Sequence, residues 1–207
     1  MDTPTAPNPH ASLSRLALAA FTAFFLAAVA VHGLRPELDG VDAQLSVYLV
    51  GPWGGLLRAG YTALAVGILA LAIALYREPP PSARSAAPLL LFAIAAPSLV
   101  VTAFAPMRFP DEELRLVHLV HGTSAQAAFL CTTMAMVLQA WRLRFAPRWQ
   151  RITPTLLGWA IACFAGVWVL ALARDLPRGF SQKVLVVMIV AWLGWVAWRK
   201  VAPNHDQ

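Results

Sequence analysis

Residues 16–34 read LALAAFTAFFLAAVAVHGL. Nothing between Arg15 and Arg35 is charged, and about 20 mainly apolar residues suffice to cross a bilayer as a helix. Arg15 ahead of the run and Ala28–Val29–Ala30 near its end are also signal-peptide features. Its length and the further runs behind it favour a signal anchor that stays as a first helix. Four more charge-free intervals follow, Arg58 to Arg77, Arg84 to Arg108, Arg115 to Arg142 and Arg151 to Arg174. A sixth run reaches Trp198 once Gly179 to Gln182 join it and Lys183 snorkels outward.

The reading is an all-α integral membrane protein, a bundle of six transmembrane helices over about 13–34, 55–76, 87–105, 117–141, 154–173 and 180–199. One domain is expected over 13–200, with disordered tails at 1–12 and 201–207. The composition agrees: 59% of the 207 residues are hydrophobic and only 13% charged, with mean hydropathy +0.63. A soluble domain carries about twice that charge.

With six spans both termini share a side. That side carries Arg15, Arg77, Arg84, Arg142, Arg144, Arg148, Arg151, Arg199 and Lys200 against few acids. Basic loops mark the cytoplasmic face, so both ends are expected inside, in a bacterial cytoplasmic membrane. The net charge of +6 and the pI near 10.2 are then read as basic loops beside anionic lipid, not as a nucleic-acid surface. Cys131 and Cys163 fall inside spans, outside any CxxC pair, and read as inert thiols. The inner loops look like plain anchoring. The outer loop 35–55 is richer, and VDAQLSVYLV within it suits a short amphipathic piece lying on the surface.

His32 lies near the outer end of the first span, and LVHLVHGTSAQ (116–126) opens the fourth with His118 and His121. Arg58 and Lys183 start the second and sixth at the same depth. Ionisable groups at membrane depth are costly and usually face the bundle interior or a wet cavity. Asp111 or Glu112 is placed to orient an imidazole. Three readings stay open. The groups form a polar cap that hydrogen-bonds loop carbonyls; or His32, His118 and His121 ligate haem b iron or a transition metal; or the cations and imidazoles bind an anionic head group. No GxSxG elbow and no Gly-rich phosphate loop is present.

Taken in order, these pieces resemble a bacterial and archaeal membrane family known as domain of unknown function 998, over about residues 15 to 200. The likeness rests on the His near the end of the first span, LSVYLVGPWGGLLRAGY, FPDEELR, VHGTSAQAAF and GFSQKVL. It implies a six-helix bundle with signature residues His32, Ser46, Tyr48, Arg58, Pro110, His121 and Lys183 on one side. The basic position of GFSQKVL resembles Arg in that family; here it is Lys183.

The expected function is a binding or accessory protein with an outward-facing polar pocket for a ligand, lipid head group or cofactor, or a subunit of a larger membrane complex. His121 and His32 form its central pair, Arg58 and Lys183 add positive charge, and Ser46 and Tyr48 form a lid. The expected partners are the lipid bilayer and other membrane subunits. The alternative is a membrane enzyme, either a haem-dependent oxidoreductase or a lipid-modifying enzyme with His121 as general base.

Overall fold

The computed structural model describes residues 9–105, 107–109, 112–173 and 175–202, with side chains from Ser12 onward. Six long helices make up the chain: α1 (Pro9–Leu34), α2 (Gly54–Tyr76), α3 (Ala87–Phe104), α4 (Leu116–Leu143), α5 (Thr153–Leu172) and α6 (Arg178–Val201). No strand occurs among the described residues. The tails expected to be disordered lie outside these residues, except 9–12, which form the first turn of α1, and 201–202. Pro110 and Asp111 also lie outside them.

Five of the helices are long and apolar enough to cross a membrane, which marks the chain as a multi-pass membrane protein. Their outward faces suit hydrocarbon: Leu26 is 61% exposed, Leu90 59% and Phe104 62%. The helix outside this set is α4. Its 28 residues give a length of about 42 Å, but His118, His121, Thr123, Ser124, Gln126 and Gln139 lower its hydropathy.

Each helix packs on its neighbour in sequence, and α6 returns to α1, so the six form a closed ring. The α1–α2 seam is the most extensive because small residues let the backbones approach. A Cβ on Gly60 would stand 3.0 Å from that of Ala27, and one on Gly67 would stand 2.6 Å from the Phe21 ring. Prolines set several helix ends. Pro88 and Pro154 sit in first turns, where their missing N–H costs nothing. Ala105, which precedes Pro106, is extended (φ −80°, ψ 127°) and stops α3.

At the lower end, opposite the 35–53 segment, the helices are locked by more than loop charge. Lys200 forms an ion pair with Glu78, with side chains 7% and 21% exposed, and also donates to the Ala74 carbonyl at 3.0 Å. The buried Trp149 indole donates to the other Glu78 oxygen at 2.7 Å, and Arg148 caps the end of α6 through the Arg199 and Ala202 carbonyls. This face is a latch joining α2, α6 and the α4–α5 turn, not the plain anchoring the sequence suggests.

At the upper end the 35–53 segment is tucked in rather than laid on the surface. Leu45–Leu49 form a 3-10 turn in which Leu45, Ser46, Tyr48 and Leu49 are buried. The reason is Gly179. A Cβ there would stand 2.5 Å from the Val41 carbonyl oxygen and 2.6 Å from that of Ala43, so only glycine admits the segment against α6. The Phe180 N–H then donates to the Val41 carbonyl at 2.7 Å, Lys183 Nζ to that of Gly40 at 2.8 Å, and the Leu45 N–H to Gln182 Oε1 at 3.0 Å.

Candidate functional site

The upper cations chosen from the sequence are engaged by backbone. Arg58 donates to the Leu49 carbonyl at 3.0 Å, and Arg35 donates to those of Val50 and Pro52 at 2.8 and 3.2 Å. Lys183 holds Gly40 and lies 5.3 Å from the Tyr48 ring centroid, within cation–π range. The His32 ring stacks on Tyr48 with centroids 4.4 Å apart. Burial raises the Tyr48 phenol above its ordinary value. His32, Tyr48, Arg58 and Lys183 therefore clamp the segment onto α1, α2 and α6. This geometry is that of the polar cap.

The three histidines are not equivalent. A carbonyl oxygen only accepts. His121 Nδ1, 2.9 Å from the Ala105 carbonyl, is therefore a donor, and so is His32 Nδ1, 2.6 Å from that of Ala28. A neutral ring that donates through Nδ1 has Nε2 as its acceptor. His118 Nδ1 instead accepts the Arg115 N–H at 3.3 Å, and its Nε2 faces Glu112 at 3.5 Å. Glu112 thus takes the orienting role expected of it or Asp111.

Two hollows lie below the cap. One is a chamber of about 530 Å³ inside the ring, with lining from all six helices. Its upper rim is polar and includes Gln44, Ser46, Arg108, His118, His121 and Arg178. Below it the lining is mainly apolar, with Leu64, Ile68, Phe129, Val167, Ile189 and Leu193, and includes the hydroxyl-bearing Tyr61 and Thr132. Ser46 donates to Met107 Sδ at 3.3 Å, while Thr102 and Ser124 join α3 to α4 at 2.8 Å. The second hollow, about 520 Å³, runs between α1 and α6 and counts His32 and Lys183 in its lining.

His32 and His121 thus line different hollows, and the pair placed at the centre of one pocket is divided. The metal set His32, His118 and His121 is not gathered either. Both His118 nitrogens face other partners, and among the described residues no three His, Cys, Asp or Glu side chains stand together as a metal site. The residues missed from the sequence are Arg108 and Arg178. Both are exposed at the chamber rim, and each reads in the sequence as one more loop charge. Gln44, Gln126 and Gln182 also line the chamber, and the sequence did not single them out because an uncharged amide gives no sign of which way it faces.

The fold is that of an all-helical, multi-pass membrane protein. The chain belongs to the family described as Protein of unknown function (DUF998), whose model matches residues 18–199. No curated protein and no solved structure gave a match.

Proposed function

We propose that the chain is a six-span protein of a bacterial cytoplasmic membrane, with both ends inside, that holds a single-chain anionic amphiphile in its central chamber. In this reading α4 is the sixth span, its polar side chains turned to the chamber and to neighbouring helices instead of lipid. The observation that carries the proposal is the uneven lining: cations, amides and imidazoles gather at the upper rim, and hydrocarbon predominates below. The volume falls within the range of sites for drug-sized ligands, about 300–1,000 Å³, and so suits one chain better than a two-chain phospholipid. Arg108 and Arg178 supply positive charge, and the free Nε2 of His121 accepts a head-group hydroxyl.

Oleoyl-lysophosphatidate, which has one chain, one hydroxyl and one phosphate, is a suitable probe for native mass spectrometry. The chain should bind it in preference to the neutral monooleoylglycerol. Replacing both Arg108 and Arg178 by Gln should weaken it about tenfold, equivalent to 1.4 kcal/mol from two partly solvated charge contacts. Equal binding of the two lipids by the native chain, with no effect of the double substitution, would sink the assignment.

A further inference from the structure

The hollow between α1 and α6 is apolar apart from Thr22 on α1 and, at its upper end, His32 and Lys183. Its outer lip is open to the bilayer side of the ring, where Phe25, Val29 and Val187 are each about half exposed. Phe24, Val186 and Val190 line both this groove and the central chamber, so one layer of side chains separates them. The α1–α6 seam closes the ring between the two ends of the chain and is slighter than α1–α2. The groove is widened by the small residues Ala28, Ala191 and Gly194.

One polar atom here is unexplained. His32 Nε2 is buried and has no hydrogen-bond partner, although such atoms nearly always find one. Because Nδ1 donates to the Ala28 carbonyl, Nε2 lacks a donor, and a hydroxyl supplies one. Lys183 gives one hydrogen to the Gly40 carbonyl and, as an ammonium, has two left for an anionic oxygen. A hydroxyl beside an anionic oxygen, at the end of a hydrocarbon chain, is the chemistry of a glycerol phosphate amphiphile.

We infer that the α1–α6 groove is a second site for such a lipid and the lateral passage by which it moves from the bilayer into the chamber, through the layer formed by Phe24, Val186 and Val190. The inference rests on the chamber being an amphiphile site. The experiment uses the full chain in vesicles of phosphatidylethanolamine and phosphatidylglycerol, with oleoyl-lysophosphatidate carrying a diazirine in its chain. Flash photolysis at successive times, followed by peptide mapping, separates groove adducts on Phe25, Val29 and Val187 from chamber adducts on Phe129 and Val167.

Groove adducts should appear first. Gly194→Leu combined with Ala191→Leu fills the groove, and a Cβ on Gly194 meets nothing within 4 Å, so the fold should tolerate it. This variant should slow chamber labelling at least fivefold and leave its final extent unchanged, which also shows that the variant is folded. His32→Leu should cut groove labelling several-fold. Chamber labelling at the native rate in the filled-groove variant overturns the passage while the chamber stands. Absence of chamber adducts in the native chain at all times overturns both.

Discussion

Lys200 and Lys183, at opposite ends of α6, show how a single cation acts in this molecule. Lys200 meets a carboxylate in a nearly enclosed place, and its worth depends on Glu78 remaining there. Removing one partner of a buried pair leaves the other charge uncompensated, at about 3–5 kcal/mol, whereas removing both is far milder. Glu78→Ala should therefore lower stability by about that amount in denaturant melts, and adding Lys200→Met should restore most of it. If the single and double variants melt alike, the latch is not an ion pair. Lys183 holds a carbonyl of the 35–53 segment, and its loss should cost about 1 kcal/mol, the net value of one hydrogen bond. Lys183→Met should accordingly raise protease cleavage within 35–53 without unfolding the ring.

At the scale of elements, the 35–53 segment behaves as a lid clamped by α6. Gly179→Ala should lift it, since its methyl meets backbone oxygens at 2.5 and 2.6 Å that cannot swing aside like a side chain. The expected loss is about 1–3 kcal/mol, as for other overpacked contacts, with faster cleavage in the segment; unchanged cleavage would contradict the clamp. The segment also carries an acid-sensitive turn. The Asp39 carboxylate accepts the Val41 and Asp42 N–H groups at 2.6 and 3.2 Å, and these bonds hold it below its ordinary 3.8. A depressed carboxyl stabilises the fold fully above the unfolded value and ceases to do so as pH falls through the folded one. The lid should thus be unaffected above pH 3.8 and loosen below it, as read by Trp53 fluorescence. Asp39→Asn should remove that acid limb.

For the whole molecule, the proposed orientation makes a direct prediction. In a chain whose native cysteines are replaced, a cysteine at Val41 should react with an impermeant maleimide on intact cells. One at Ser82 should react only when the inner face is opened. The reverse pattern would invert the topology. The stretches on which the resemblance rests also take on a physical meaning at this scale. Gly179, Phe180 and Lys183 of GFSQKVL hold residues 40–43 and the Tyr48 ring, while Arg58 holds the Leu49 carbonyl of the LSVYL stretch. His121 of VHGTSAQAAF ties α4 to the carbonyl of Ala105, just past α3, and lines the chamber.

Six helices and their limits were legible because hydropathy is local and additive: each charge-free run reports its own preference for hydrocarbon, and prolines and charges mark where it stops. That His32, Arg58, His121 and Lys183 lie toward one end was legible for the same reason, since depth follows from position along a span. Which of them share a hollow was not. That depends on how far each helix is rotated about its axis and on where the 35–53 segment docks, and both are settled by packing between residues distant in the chain. Tertiary structure alone placed His32 and His121 in separate hollows, left the exposed Arg108 and Arg178 at the chamber rim, and turned Arg58 and Lys183 to loop carbonyls, because a half-buried cation takes the nearest acceptor the fold presents to it.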